Sequence, residues 1–393
     1  MTDLAPAVAG PARFREIQAR SIARAAFPAD PWFLGRFGIN LYRGCEHGCE
    51  YCDGRSERYR VEGEFARDIQ VKVNALEVLE GELARAREPG FVLVGGGVCD
   101  AYQPAEQQYR LARGVLELAL SLKLPVHVLT KSALVERDLD LLERINTQRR
   151  AVLSFSVATT DERLREELEP GAAPMAERFR ILEAARGRGL STGIMAMPLL
   201  PGLSDQPDQI HALVARAAAA GVGFVCFSGL TLRPGVQQDT YLAALQERHA
   251  DLLPGYRTLY RAQRKSGAPD PRYSDRLYRR CREALAAHGL PGRMPRGVFT
   301  GLIPSYAEVA VLLEHEDQAE GVGILGGPKA AAGWAIQRWA QNKLGRLRGP
   351  RAYCEVEAAF ELAVRTGALA RELALTAELA ERVKAIAESV PRR

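Results

Sequence analysis

The sequence predicts an α/β protein built on a parallel sheet, followed by a mainly helical region. Six short runs of apolar and β-branched residues alternate with longer stretches in which apolar residues recur every three or four positions. Such alternation is typical of strand–helix–strand units, in which each helix returns the chain to the same edge of a parallel sheet. The six runs cover residues 38–43, 91–95, 125–130, 151–157, 191–197 and 222–228.

Helical spacing between these runs supports the same prediction. It is clearest in two groups of apolar residues, Leu76, Leu79 and Leu83, and then Leu111, Val115, Leu118 and Leu122. The periodicity alone leaves open whether the sheet is doubly wound or curved into a full or partial barrel. In either case ligands bind at the carboxyl ends of the strands.

The alternation stops near residue 231, where prolines begin to interrupt helical segments. We therefore predict three regions. Residues 1–38 form an N-terminal leader whose basic amphipathic stretch packs on the main domain, and residues 39–231 form the α/β domain. Residues 232–393 form a mainly helical region that ends in Ala/Leu/Glu-rich packing helices.

Composition excludes several classes of protein. Of the 393 residues, 26% are charged and 47% are hydrophobic, which is typical of a globular chain, and the net charge of +5 is too small to indicate a partner. The N-terminus has no signal-peptide core, and no apolar run is long enough to cross a membrane, so we expect a cytoplasmic protein. Seven cysteines, three of them within eight residues, favour a metal site in a reducing compartment over a disulfide framework.

The three neighbouring cysteines carry the strongest functional signal. The segment GINLYRGCEHGCEYCDGRSERY contains Cys45, Cys49 and Cys52 in a Cys-x₃-Cys-x₂-Cys pattern, with Tyr51 before the last cysteine. Three thiolates can bind three irons of a [4Fe–4S] cluster and leave the fourth iron open to the amino and carboxylate groups of S-adenosylmethionine. Reduction of this cofactor then yields a 5′-deoxyadenosyl radical. The alternatives are a zinc site completed by His47, or thiols that merely lie near one another. A zinc site usually needs a second ligand pair, which this sequence lacks.

The cysteine segment resembles the radical S-adenosylmethionine (radical SAM) superfamily, whose signature is this spacing with an aromatic residue before the third cysteine. Within that superfamily, residues 38–231, about half of the chain, resemble the spore photoproduct lyase-like, or DNA repair photolyase-like, group. The similar stretches are INLYRGCEHGCEYC, GGGVCDAYQPAEQQ, VHVLTKSALVERDLDLL, SFSVATTDERLREELEPGAAP and PLLPGLSD. The resemblance implies a partial (β/α)6 TIM-like barrel and an external one-electron reductant such as flavodoxin or ferredoxin.

The resemblance also implies where the cofactor binds. Gly95, Gly96 and Gly97 follow the second run, where the superfamily has a glycine-rich segment that contacts the methionine amino group. A plain turn at a strand exit is the alternative. Lys131 ends the third run and could pair with the methionine carboxylate, although a lysine at a strand end is often a solvated cap. Ser156 ends the fourth run and could donate a hydrogen bond to the same carboxylate or to the ribose.

Two further residues are candidates for a direct role in the reaction, Tyr51 beside the cluster and Cys99 after the second run. In the resembling group a cysteine on that loop returns a hydrogen atom to the substrate. Relative to the aspartate that both share, here Asp100, Cys99 lies a few positions later than the cysteine of that group. The alternative is that Cys99 is a small buried thiol. The group also has a tyrosine directly after the third cysteine, whereas this sequence has Asp53.

A basic segment suggests a nucleic-acid substrate. Residues 256–282 contain nine basic residues against two acidic ones, interleaved with four tyrosines, and residues 337–351 form a second basic stretch with Trp339. We take Tyr278, Arg279 and Arg280 as candidate contacts to DNA or RNA. The alternative is two solvated helix faces whose tyrosines pack inward.

Three functions therefore remain open at this stage. The favoured function is a radical SAM enzyme that acts on nucleic acid in a lyase-like reaction of the DNA-repair type. The second is radical modification of a peptide or small metabolite, which would need no nucleic-acid binding. The third is a non-catalytic iron–sulfur protein, which would not cleave S-adenosylmethionine.

Overall fold

Two sheets are present in the part of the chain that this computed structural model describes, namely residues 10–25, 30–85, 89–96, 98–321, 326–347 and 352–391. The strands of these sheets are β1 (Arg13–Ile17), β2 (Ala23–Ala25), β3 (Gly35–Ile39), β4 (Tyr42–Arg43), β5 (Asp68–Lys72), β6 (Phe91–Val94), β7 (Val126–Thr130), β8 (Ala151–Ser156), β9 (Ser191–Leu199) and β10 (Phe224–Gly229).

The larger sheet has seven strands in the order β10-β9-β8-β7-β6-β3-β2. Strands β3 and β6 to β10 are parallel and adjacent in chain order, with registers such as Val126 opposite Ala151, and only β2 is antiparallel. Every residue of β7 and β8 is buried, as expected for a parallel sheet covered on both faces. This arrangement confirms the predicted partial (β/α)6 barrel.

The first predicted run, residues 38–43, is divided between two sheets. β3 ends at Ile39, and β4 pairs antiparallel with β5 in a separate three-stranded sheet of order β1-β5-β4. The predicted strand therefore begins three residues earlier, at Gly35, and crosses the predicted boundary at residue 38. Within the predicted leader, β1 pairs with β5 and β2 pairs with β3, so both sheets gain a strand from it. The division into three regions stays a prediction.

Helices connect the parallel strands and form most of the chain after β10. They are α1 (Ala75–Ala84), α2 (Glu106–Tyr109), α3 (Leu111–Ser121), α4 (Leu139–Gln148), α5 (Glu162–Leu168), α6 (Met175–Gly187), α7 (Pro207–Ala219), α8 (Val236–Arg248), α9 (Leu253–Leu259), α10 (Pro271–His288), α11 (Arg296–Phe299), α12 (Ser305–Glu320), α13 (Pro328–Arg346), α14 (Ala352–Arg365), α15 (Ala368–Glu372) and α16 (Ala377–Glu388). The helical spacings predicted before the second and third runs correspond to α1 and α3.

The helical region shares an apolar core with the sheet, in which Phe299, Ile336 and Phe360 are buried together with Phe91 and Phe224. Local sequence explains where its helices begin and end. At α10, for example, the Asp270 carboxylate accepts a hydrogen bond from the backbone N–H of Arg272, and Pro271 occupies the first turn. None of the described helices has the length and apolar character needed to cross a membrane.

Candidate active site

A cavity of about 300 Å³ lies at the carboxyl ends of the parallel strands. It brings together eight of the residues predicted from the sequence: Cys45, Cys49, Tyr51, Cys52, Gly96, Cys99, Lys131 and Ser156. Because these residues follow four different strands, only the parallel arrangement of the sheet can collect them at one place. Of the other predicted glycines, Gly95 is at the exit of β6, and Gly97 lies outside the described residues.

The loop that carries the cysteines is fixed by backbone contacts. Cys45 and Cys49 are each 5% exposed, and the backbone N–H of Gly48 donates to the Cys45 carbonyl at 3.1 Å. Gly44 has a φ of +79°, and a Cβ there would lie 2.8 Å from the carbonyl oxygen of Asp68. The loop therefore needs glycine at this position to turn tightly enough for the following cysteines to reach the cavity.

The surroundings of the cysteines suit thiolate ligands. Burial raises the pKa of Cys45 well above its ordinary value, and it also raises the pKa of Cys52. Backbone N–H groups act in the opposite direction, since that of Asp100 donates to the Cys45 sulfur and that of Gly54 donates to the Cys52 sulfur. Such donors stabilise the thiolate, which is the form that binds iron in an iron–sulfur cluster.

The zinc alternative fits less well. The buried His47 ring has its Nδ1 3.4 Å from the Asp100 carboxylate, so its polar contact is with that side chain. Within the described ranges, no group of three or more His, Cys, Asp or Glu side chains is arranged to hold a single metal ion. A zinc ion requires all its ligands within about 2.3 Å of one point, whereas the cysteine ligands of a cubane bind separate corners. The three cysteines of this cavity therefore fit a cluster.

Lys131 and Ser156, the two residues predicted to bind the cofactor, contact each other. The Lys131 ammonium donates to Ser156 Oγ at 2.5 Å, and Ser156 Oγ donates to the carbonyl of Met197 at 3.0 Å. The Lys131 side chain is only 14% exposed, and its backbone N–H donates to Asp100 Oδ2 at 2.7 Å. Lys131 is therefore a largely buried cation that lines the cavity. It is not a solvated lysine at the end of a strand, which was the alternative.

Glu169 is a site residue that the sequence analysis missed. Its carboxylate, 1% exposed, lies 3.2 Å from Lys131 Nζ and accepts a hydrogen bond from Arg178 Nη2 at 2.6 Å. Its Oε1 also accepts a short hydrogen bond from the Tyr51 hydroxyl. Burial by itself raises the pKa of Glu169, but Lys131, Arg178 and Tyr51 outweigh burial and lower it to about 2. In the sequence, Glu169 belongs to the LEPGAAP stretch, which carries part of the resemblance to the lyase-like group. That resemblance gave Glu169 no role of its own.

Cys99 and Asp53 complete the cavity. Cys99 Sγ donates to the carbonyl of Tyr42 at 3.2 Å, and burial raises the pKa of this thiol to about 12. Cys99 therefore carries its hydrogen at neutral pH. Asp53 accepts hydrogen bonds from Arg233 Nε and from the Tyr59 hydroxyl, both at 2.6 Å. A carboxylate with two fixed donors thus lies beside the third cysteine.

The predicted nucleic-acid contacts are not part of this cavity, and the structure corrects one of them. Tyr278 is 9% exposed, and its hydroxyl accepts a hydrogen bond from Arg293 at 2.8 Å, so its ring is not available for base stacking. The other tyrosines of the segment are buried as well, as the inward-packing alternative described. Tyr273 lies on α10, which packs on α7 and β10, whereas Tyr256 and Tyr260 belong to a separate apolar cluster. Arg279 is exposed, and Arg280 is partly buried and donates to the carbonyl of Asp205 at 3.0 Å.

Comparison with known proteins agrees with the geometry of the cavity. The family model of the radical SAM superfamily matches residues 39–214. An uncharacterised protein of Mycobacterium tuberculosis (strain H37Rv) is 32% identical over 261 residues, which cover 65% of this chain and 76% of that protein. The chain belongs to the radical SAM superfamily. It is accordingly a radical SAM enzyme, and the cofactors of this family are a [4Fe–4S] cluster and S-adenosylmethionine.

Two further proteins are similar to this radical SAM enzyme. A spore photoproduct lyase variant, solved with bound AdoMet and dinucleoside spore photoproduct, has the same fold, with a TM-score of 0.53 and 15% identity. That match covers 71% of this chain and 79% of the lyase. The radical SAM Nalpha-GlyT isomerase of Pseudomonas phage M6 is 29% identical over 196 residues, which cover 49% of this chain and 39% of the isomerase.

Proposed function

We propose that this radical SAM enzyme uses a 5′-deoxyadenosyl radical in a lyase-like reaction of the DNA-repair type on a nucleic-acid substrate. The observation that carries the proposal is the single cavity in which the three cysteines, the Lys131–Ser156 pair and the Cys99 thiol lie together. The nucleic-acid part is supported by the fold shared with a lyase whose structure contains a dinucleoside photoproduct.

In this proposal each part of the cavity has a separate task. Cys45, Cys49 and Cys52 would hold the cluster, which would supply the electron for reductive cleavage of S-adenosylmethionine to the 5′-deoxyadenosyl radical. Lys131 and Ser156 would bind the methionine carboxylate, since a buried ammonium beside a hydroxyl suits an anionic group. Gly95 and Gly96, at the exit of β6, would let the backbone approach the methionine amino group.

We assign the Cys99 thiol, which lines the same cavity, to the return of a hydrogen atom to the substrate. Because burial keeps it protonated, it carries a hydrogen atom that a carbon-centred substrate radical can take up. The transfer leaves a thiyl radical on Cys99. One electron from an external reductant such as flavodoxin or ferredoxin, together with a proton, returns it to the thiol.

The first experiment tests the substrate class. Anaerobically reconstituted, reduced protein is assayed for 5′-deoxyadenosine alone, and with RNA or single-stranded, duplex or dimer-containing DNA. We expect one of these nucleic acids to stimulate 5′-deoxyadenosine formation several-fold. If none of them does so, the substrate is not a nucleic acid, and a peptide or small metabolite becomes the next class to assay.

Two variants test the residue assignments. Lys131→Met removes a charge-assisted contact worth about 1.5–3 kcal/mol, so it should weaken S-adenosylmethionine binding about 10- to 100-fold in equilibrium dialysis. Lys384→Met, at an exposed position on α16, is the matched control and should bind normally. Cys99→Ala should change the products and the deuterium incorporation from labelled solvent. Unchanged products with unchanged deuterium would refute the hydrogen-donor role.

A further inference from the structure

A second cavity, of about 640 Å³, lies between α10, residues 290–296 and α12. It shares no lining residue with the candidate active site. One part of its wall is basic, formed by the guanidinium groups of Arg279, Arg282, Arg293 and Arg296. Another part is apolar and includes Phe227, Leu285, Leu290 and Met294.

The lining of this cavity contains hydrogen-bond donors that lack acceptors. Arg293 is 7% exposed and Gln318 is 6% exposed, yet Arg293 Nε and Gln318 Nε2 have no hydrogen-bond partner within the described ranges. The same is true of Arg296 Nη2. Buried polar groups are paired in the large majority of cases, and each unpaired group costs about 1–3 kcal/mol. All three of these unpaired atoms are N–H donors of side chains that carry or border the basic part of the wall.

The charges of the cavity are only partly balanced by carboxylates. Arg293 lies 3.5 Å from Glu314, and Arg296 lies 3.0 Å from Glu308. Glu314 has an unpaired Oε2, but it is not part of the lining. Glu283 is the single acidic residue of the lining. No carboxylate partner of Arg279 or Arg282 is recorded in the described part of the chain. The cavity therefore presents an excess of positive charge.

The guanidinium of Arg293 is held in place before any ligand binds. It stacks on the Trp32 ring with 3.8 Å between Cζ and the ring centroid. Its Nη1 donates to the carbonyl of Gly292 at 2.9 Å, and its Nη2 donates to the Tyr278 hydroxyl at 2.8 Å. These contacts hold the guanidinium in one orientation. A fixed donor loses little conformational entropy on binding, which favours a specific contact.

We propose that this second cavity binds a phosphorylated organic molecule of nucleotide size. Arginine forks match the oxygens of phosphate groups, and Arg279 and Arg282 line the cavity without a carboxylate partner in the described part of the chain. The apolar wall suits the non-phosphate body of such a ligand, and the volume falls in the range of about 300–1,000 Å³ that is typical of small-molecule sites. The site does not depend on the reaction proposed for the first cavity.

Isothermal titration calorimetry tests this proposal with ADP and inorganic pyrophosphate as probes. Saturating S-adenosylhomocysteine is present throughout, so that the adenine group of ADP cannot occupy the first cavity. We expect ADP to bind more tightly than pyrophosphate, because only ADP reaches the apolar wall. Arg282→Gln and Arg279→Gln should each weaken ADP binding about tenfold, as expected for the loss of a charge-assisted contact.

Arg276→Gln is the matched control, because Arg276 is an exposed arginine of the same helix that is not part of the lining. This variant should bind ADP like the unmodified protein. The proposal is overturned if neither probe binds, if ADP gains nothing over pyrophosphate, or if Arg276→Gln weakens binding as much as Arg282→Gln. Arg279 is exposed and Arg282 is partly buried, and circular dichroism should confirm that both variants fold normally.

Discussion

Glu169→Gln tests how far the buried ionic network supports the candidate active site. The carboxylate of Glu169 is buried between two cations, the Lys131 ammonium at 3.2 Å and the Arg178 guanidinium at 2.6 Å. Glutamine has almost the same shape and keeps one carbonyl acceptor for Arg178. The substitution therefore removes the negative charge and leaves two cations together in a buried space.

The expected loss of stability follows from two independent arguments. Burial raises the pKa of Glu169 and its cationic neighbours lower it, with a net fall from 4.5 to about 2. At about 1.4 kcal/mol per pKa unit, this fall corresponds to about 3 kcal/mol at neutral pH. Removing one partner of a buried ion pair costs about 3–5 kcal/mol in other proteins. We therefore expect the free energy of unfolding to fall by about 3 kcal/mol.

The sign of the pH dependence follows from the same shift. A carboxyl group whose pKa is lower in the folded state contributes its full stabilisation above the unfolded pKa of about 4.5. That contribution is lost as the pH falls towards about 2. The difference between the unmodified protein and Glu169→Gln should therefore be constant from neutral pH down to about pH 5 and shrink below it.

Urea denaturation of the metal-free, reduced protein at neutral pH measures this effect. Glu166→Gln is the control, since the Glu166 side chain is 65% exposed and its partner Arg165, at 3.3 Å, keeps a second carboxylate, that of Glu162, at 2.6 Å. Exposed pairs contribute about 0–1 kcal/mol, so this control should be nearly neutral. The reasoning is refuted if Glu169→Gln costs no more than Glu166→Gln.

Two further predictions concern the strands that carry the cavity. Gly95→Ala should destabilise the protein by at least about 1–3 kcal/mol, because Gly95 has a φ of +91° and a Cβ there would lie 2.1 Å from the Leu129 carbonyl oxygen. Gly187→Ala, where a Cβ has no neighbour within 4 Å, is the control, and an equal fall in Tm for both variants would contradict the argument. Burial lowers the pKa of His127 to about 4, so its protonation should cost stability as the pH falls from about 6.5 towards 4. His127→Asn should show a flatter dependence of Tm on pH over this interval, and parallel curves for the two proteins would speak against that assignment.

Features that depend on a local pattern of residues could be predicted from the sequence alone. Alternating apolar runs and helical spacing predicted six parallel strands with crossover helices, because side-chain periodicity reports which face of each element is buried. The Cys45–Cys52 segment predicted the cluster ligands, because their spacing lies within one loop. Resemblance to a known family supplied the closure of the sheet into a partial barrel, which periodicity does not encode.

Contacts between side chains that are far apart in the sequence became visible only in the tertiary structure. Tyr51 and Glu169 are 118 positions apart, and their contact depends on how β8 and the following helices pack beside the cysteine loop. The burial of Tyr278 could not be predicted from the sequence either, because a basic and aromatic segment has the same residues whether its tyrosines face solvent or the core. Polar contacts of this kind depend on register and packing between elements, and no local pattern of residues records them.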